Sequence, residues 1–284
     1  MAGVLCFEVR DTGAIGVPTT AASLDELSIH LPQGVYTTFR TYPGCRVLRL
    51  GAHLDRLVES AAIEGHELKL DYIALRRAIA DVLAQSGFAL ARVRLTVGFL
   101  PSTVIFVSLN ELHEPPAELY EAGVRCGIAE RALHREAPRS KSTRFIGPAS
   151  AAREAVSDVN EVLLVDDHMD ILEGSSSNFF AVLDGTLRTA DAGVLAGVTR
   201  GTVLGCADGL VPVEFTPVRV PDISRLQEAF ITSVSRAVLP VVEIDGHRLG
   251  NGRPGDVTRE LMRRFDAALE RELEPISLES GGAR

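Results

Sequence analysis

The spacing of apolar residues changes along this chain, and each period names an element. Gly34 to Tyr42 (Gly-Val-Tyr-Thr-Thr-Phe-Arg-Thr-Tyr) is rich in β-branched and aromatic residues and stops at Pro43-Gly44, which predicts a strand closing in a turn. Arg46 to Leu50 returns as a second strand. From Ala52 to Ala62 the period lengthens: Leu54, Leu57, Val58 and Ala61 share one helical face, Asp55 and Glu59 point outward, and His53 and Arg56 sit together on one border. Asp71 to Ser86 is a second helix, and Ala91 to Phe99 with Thr103 to Leu109 alternate as a strand pair. Pro115-Pro116, inside Glu111 to Ala122, marks a domain boundary. Beyond it, Val124 to Glu130 and the apolar run Glu161 to Val165 predict strands, and Ala149 to Val156 predicts a helix. Asn178 to Leu183 and Thr186 to Thr189 form a hairpin through Asp184-Gly185. A helix opens near Thr199, strands follow at Val211 to Phe215 and Glu228 to Val234, and a last helix runs from about Asp256 to Leu273 with Val257, Leu261, Phe265 and Ala268 aligned. The expected division is a small domain over 1–116, a linker over 117–123 and a larger domain over 124–284, with an α+β mix in both halves.

Composition narrows the function classes. With 284 residues, 46% of them hydrophobic, the chain can bury a core large enough for two domains. A net charge of -9 argues against nucleic acid or an anionic membrane as partner. No apolar run approaches the roughly 20 residues that span a bilayer. The start, Met-Ala-Gly-Val-Leu-Cys-Phe-Glu, lacks a basic segment and reaches an acid early, so a cytoplasmic location is expected. Cys6, Cys45, Cys126 and Cys206 are far apart and the seven histidines are scattered, so neither a disulfide frame nor a metal site is expected.

Candidate chemistry begins with lysine. The chain has only Lys69 and Lys141, and Lys141 lies in Pro-Arg-Ser-Lys-Ser-Thr-Arg between Arg139 and Arg144. Flanking positive charge and any desolvation oppose protonation of an ammonium, and a neutral amine is suited to Schiff-base chemistry. A stray surface lysine in an arginine-biased chain is the plainer reading. Three polar clusters interrupt apolar segments further on. Glu173-Gly-Ser-Ser-Ser-Asn178 sets a carboxylate beside a serine run, which is either a strand-capping loop or a site. Gly193-Val-Leu-Ala-Gly-Val-Thr-Arg200 ends a glycine-bearing loop at a helix start, where free N–H groups favour an anion such as phosphate. Thr199 also reads as a plain N-cap. Thr232-Ser-Val-Ser235 places hydroxyls at a strand end.

In this order, Glu173 to Asn178, Gly-Val-Thr-Arg at 197–200, and Leu-Pro-Val-Val-Glu-Ile-Asp-Gly at 239–246 followed by Gly-Asn-Gly-Arg-Pro-Gly-Asp-Val-Thr-Arg at 250–259, the chain resembles the fold type IV (class IV) pyridoxal-phosphate enzymes. These include branched-chain and D-amino-acid aminotransferases and aminodeoxychorismate lyases, and the similarity runs from about Gly34 to Phe265. The resemblance implies an α+β, two-domain fold: a small N-terminal α/β domain and a larger C-terminal domain, barrel-like in its strands and carrying helices. It also implies pyridoxal 5'-phosphate as cofactor and a homodimer. Carried over by position, Lys141 holds the cofactor as a Schiff base and Glu173 pairs with the pyridine nitrogen. Arg56 clamps the phosphate. Val198, Thr199, Ser233, Val234 and Ser235 complete the phosphate cup, Ser177 and Asn178 adjoin the cofactor, and Tyr36, Thr38 and Arg40 lie beside the substrate.

The chain departs from the pattern in three places. Val234 and Ala237 stand where many relatives have threonine and glutamate. Arg144-Phe145 stands where many have asparagine or tyrosine. The loop Gly98 to Thr103 lacks the arginine and histidine that hold the substrate carboxylate in D-amino-acid aminotransferases. The implied reaction is amino transfer between a small branched-chain or D-amino acid and a 2-keto acid. The alternative is 4-amino-4-deoxychorismate lyase, releasing pyruvate and 4-aminobenzoate, which Thr38 in Tyr-Thr-Thr-Phe-Arg favours. A binder without turnover is opposed by intact Lys141, Glu173 and Arg56.

Overall fold

The strand at Gly34–Arg40 is one edge of a five-stranded antiparallel sheet. Across the sheet the order is Gly13–Gly16, Leu5–Arg10, Val104–Glu111, Ala91–Gly98 and Gly34–Arg40. This computed structural model describes residues 3–130 and 132–277. They fall into two units. The first comprises Met1–His113, Ser140–Ile146 and the stretch from Glu272; the second comprises Glu114–Arg139 and Gly147–Arg271. The lysine loop thus groups with the first unit although the 124–284 partition placed it in the second, and the expected linker contains a helix, Ala117–Ala122.

In the first unit the strand alternation sends Val35, Phe39, Val93, Leu95 and Val97 to one face, where they pack with Leu54, Leu57 and Ile79 of the helices Leu50–Ile63 and Tyr72–Ser86. Asp71 caps the second of these by accepting the Ile73 and Ala74 N–H groups at 3.0 and 2.9 Å. Gly87, at φ 69°, ends it. Gly34 has to be glycine, because a Cβ there would stand 1.9 Å from the Val97 carbonyl oxygen. The helix Leu24–His30 sets Leu24 and Leu27 against Cys6 and Phe106 on the opposite face. No element is predicted from the sequence over this helix or the first two strands; the strand Leu5–Arg10 has apolar residues on both faces rather than a clean alternation.

The second unit contains a closed ring of six strands: Val124–Ile128, Glu161–Val165, Asp170–Gly174, Ser177–Leu183, Glu228–Ser233 and Ala237–Ile244, the last returning to the first. Closure leaves these strands without a free edge, so this is the expected barrel. Every second residue points inward: Val124 and Cys126, Leu163 and Val165, Phe179, Ala181 and Leu183, Ala229 and Ile231, Leu239 and Val241. Asn178, Phe180, Phe230 and Thr232 therefore lie on the outer face, where the rings of Phe180 and Phe230 stack at 4.9 Å; Glu173 joins them opposite Asn178 and Leu164 because a bulge separates it from the inward Ile171. Asp184 and Gly185 turn the predicted hairpin at φ 51° and 74°. The last helix, Asp256–Glu272, is held at its start by Glu228, which accepts the N–H groups of Val257 and Thr258 at 3.1 and 2.7 Å. Among the described residues no helix is long and apolar enough to cross a membrane.

Candidate active site

Two groups of sequence-predicted residues emerge, one in each unit. In the first, the Gly34–Arg40 strand sorts them by parity. Thr37 faces the helix Leu50–Ile63, and the Arg56 guanidinium donates to its hydroxyl at 2.8 Å. The Arg56 nitrogen also lies 3.4 Å from His53 Nδ1, which is 3.1 Å from the Thr37 hydroxyl. Arg56 can only donate, so His53 Nδ1 is an acceptor and the ring carries its hydrogen on Nε2. Burial, then the positive charges of Arg56, Lys141 and Arg49, hold the His53 imidazole well below its ordinary pKa. His53 and Arg56 are both buried, at 1% and 8% exposure, and do not sit on a helix border as expected. The reason is Thr37, a polar acceptor that the neighbouring strand sets into an otherwise apolar face.

Tyr36, Thr38 and Arg40 occupy the other face. Thr38 accepts the Arg94 Nε–H at 3.2 Å, and Arg94 is fixed further by Asp25, Ser28 and the Leu24 carbonyl at 2.7–2.8 Å. The Arg94 guanidinium and the Lys141 amine lie 4.6 and 4.7 Å from the centroid of the Tyr36 ring. Arg40 is buried, its guanidinium 4.5 Å above the Tyr42 ring. The two arginines flanking Lys141 both expose their side chains, and Arg144 lies 3.9 Å from Glu64. Solvent screening therefore weakens their effect on the lysine amine.

The second group centres on Glu173, 3% exposed. Its carboxylate accepts Arg135 Nε at 2.7 Å, the Leu195 N–H at 3.1 Å and Asn178 Nδ2 at 3.3 Å. Asn178 also donates to the Leu195 carbonyl at 2.8 Å. A Cβ on Gly197 would stand 2.3 Å from Asn178 Oδ1, so only glycine leaves room for this amide. Gly197, not Thr199, is the N-cap of the helix Val198–Ala207; Thr199 is buried in its first turn and no side chain caps that end. Asn178 pairs in register with Thr232, whose hydroxyl is buried with no hydrogen-bond partner among the described residues.

Ser233, Val234 and Ser235 lie on the turn between two barrel strands, closed by Arg236 N–H to the Ser233 carbonyl at 3.3 Å. Two charged residues to which the sequence reading gave no site role organise that turn and the serine run. Glu161, 2% exposed, accepts the hydroxyls of Ser175, Ser176 and Ser177 at 2.5, 2.7 and 3.0 Å and Arg236 at 2.7 Å. Burial pushes the Glu161 carboxyl up, but Arg236 and the serine hydroxyls outweigh it and bring the pKa to about 2. Ser177, expected at the cofactor, is thus committed to Glu161, and the Ser233 hydroxyl accepts Arg236 Nε at 3.2 Å. Arg135 was missed as well. The signal for all three was an unanswered charge: Glu173 and Glu161 sit in apolar strands, and a buried carboxylate needs a cation.

Together these features define a two-unit α+β protein with a closed six-stranded barrel, a salt-bridged outward carboxylate and a half-buried lysine loop. Residues 34–244 match the model of the amino-transferase class IV family. The chain belongs to that family of pyridoxal-phosphate enzymes. It is 31% identical over 246 residues to a probable branched-chain-amino-acid aminotransferase of Thermotoga maritima, covering 83% of this chain and 86% of the relative. It is 26% identical over 254 residues to a D-alanine aminotransferase of Staphylococcus epidermidis, covering 84% and 88%. In fold it is similar to the T.th. branched-chain amino acid aminotransferase solved with pyridoxamine 5'-phosphate, at a TM-score of 0.80 and 23% identity, covering 97% of this chain and 99% of that one.

Proposed function

We propose that this aminotransferase exchanges an amino group between a small aliphatic amino acid, branched-chain or D-, and a 2-keto acid, acting as a cytoplasmic homodimer with pyridoxal 5'-phosphate covalently held by Lys141. The observation that carries it is Glu173: a buried carboxylate braced by Arg135, Asn178 and the Leu195 N–H, suited to hold a proton on a pyridine nitrogen. The residues fit the cofactor in two further respects. The start of the helix at Val198 and Thr199, without a side-chain cap among the described residues, offers N–H groups to a dianion, and the buried Thr232 hydroxyl has no hydrogen-bond partner among them. Bound, the cofactor would supply an electron-withdrawing ring and, outside it, a carbonyl carbon able to carry an amino group between substrates.

The roles divide by residue. Lys141 provides the amine that binds the cofactor and moves the proton at the substrate Cα. Arg56, kept oriented by Thr37 and His53, donates to the phosphate, as do Val198 and Thr199. Ser233, Val234 and Ser235 shape the turn that borders it, with the Ser177 hydroxyl tied back to Glu161. Tyr36, Thr38 and Arg40 contact substrate, Arg40 as carboxylate anchor.

Aminodeoxychorismate lyase is the second reading, favoured by Thr38 within Tyr-Thr-Thr-Phe-Arg. Thr38 accepts from Arg94, which has no lone pair to offer, so the Thr38 hydrogen is left to donate elsewhere. The test supplies L- and D-amino acids with a keto-acid acceptor and, separately, aminodeoxychorismate. New keto acid and a cofactor spectrum converted to the amine form are expected with aliphatic amino acids. Pyruvate and 4-aminobenzoate from aminodeoxychorismate, with no amine form from any amino acid, would replace the transferase by the lyase.

A further inference from the structure

We infer that Ser60 and Glu64, on the last turn and C-cap of the helix Leu50–Ile63, are positioning residues that set the reactivity of Lys141. The inference rests on the reading of Lys141 as the cofactor lysine. The main chain around that lysine is stitched on both sides. On the helix side, the Lys141 N–H donates to the Ser60 hydroxyl at 3.1 Å and the Ser140 hydroxyl donates to Glu64 at 2.8 Å. On the strand side, the Lys141 carbonyl accepts the Tyr36 N–H at 2.9 Å. One residue further, Ser142 bridges to Val35. Thr143 then closes a reciprocal pair with Gly34, accepting its N–H at 3.0 Å and donating to its carbonyl at 3.1 Å.

The burial pattern gives the helix-side contacts their weight. Ser60 is fully buried and Ser140 is 1% exposed, so on the serine side of each bond water has little access. With its N–H and C=O both held, Lys141 keeps only side-chain torsions free, and its amine rests 4.7 Å from the Tyr36 ring centroid. Tyr36 thereby touches the lysine twice, by its main chain and by its ring. An amine carried on a main chain held in this way searches fewer directions of approach to a carbonyl carbon, which is how enzymes convert loss of freedom into rate. Ser60 and Glu64 lie four residues apart on one helix, so both face the same stretch of the loop. No motif reading found them, because a serine and a glutamate four apart are ordinary in an exposed helix end.

The experiment uses the purified holoenzyme and three variants, Ser60→Ala, Glu64→Leu and Glu64→Gln. The pH midpoint of the visible cofactor band, the rate of cofactor loss to hydroxylamine, and the thermal midpoint are read on each. Ser60→Ala and Glu64→Leu are expected to move the band midpoint and to speed cofactor loss about tenfold, the size set by one buried hydrogen bond of ~1.4 kcal/mol. Glu64→Gln keeps an acceptor oxygen for Ser140 while losing the charge facing Arg144, and is expected to restore the wild-type rate of cofactor loss. A lowered thermal midpoint with an unmoved band midpoint and wild-type loss rate would show a merely structural role and overturn the inference. Borohydride reduction and peptide mapping of the wild type separate the two levels. Label on a residue other than Lys141 overturns the functional reading itself. Label on Lys141 with indifferent variants overturns only the role of Ser60 and Glu64.

Discussion

Replacing Glu161 by Gln should flatten the acid side of the stability profile, and the structure fixes both sign and size. The folded-state pKa, about 2, lies below the ordinary carboxylate value of 4.5. A carboxyl whose pKa is depressed by folding contributes its full stabilisation above the unfolded value and loses it as pH falls toward the folded one. The window is therefore pH 4.5 down to about 2. Each pH unit in that window is worth ~1.4 kcal/mol, so the carboxylate contributes about 3 kcal/mol at neutral pH. Glutamine keeps the shape and can still accept from the serines, but it breaks the ion pair with Arg236. That side chain is 18% exposed and regains some water, which places the expected loss toward the low end of the ~3–5 kcal/mol typical of a broken buried pair. Urea midpoints measured in steps from pH 7 to pH 3 test this. The wild type should lose stability more steeply than the variant below pH 4.5, and the two curves should converge. Parallel curves across that range would refute the reasoning, because a carboxylate held by Arg236 and three hydroxyls cannot be silent to protonation.

Two further outcomes probe the enzyme directly. Glu173→Gln should retain cofactor and lose most turnover, whereas Arg56→Ala should weaken cofactor retention by about 2–3 kcal/mol; equal cofactor affinity in the two variants would show that their roles are not separate. Sedimentation velocity should give a dimer, and a fully active monomer would reject the proposed assembly.

Elements whose own residues carry the signal were legible in the sequence. The helix wheel of 52–62 placed Leu54, Leu57 and Ala61 in the core, where all are fully buried, and the Asp-Gly dipeptide named its hairpin. The strand at Ala237–Ile244 went unread because Pro240, which has no N–H for the ladder, stands in its middle. For the candidate site, local order singled out Lys141, Glu173 and the loop at 193–200, but not the side chains that hold them in place. Arg135 and Glu173 are 38 residues apart, Ser60 and Lys141 are 81 apart, and Arg236 and Glu161 are 75 apart. Such pairings are made by the topology, and no short window of sequence contains both partners. The same limit explains the misplacement of His53 and Arg56: the wheel gives their direction, and the Thr37 that makes this direction an interior one belongs to another element.

The strand Gly34–Arg40 works as a partition wall. Its odd position Thr37 answers to the helix that carries Arg56 and His53, while its even positions Tyr36 and Thr38 answer to Arg94 and Lys141. Side-chain substitutions at 38 and 40 can therefore accumulate without disturbing the contacts of Arg56, whereas position 36 also supports the Lys141 amine. Insertion or deletion of a single residue is a different matter. It would exchange the two faces at once, so evolution at this wall is confined to replacement and barred from changes of length.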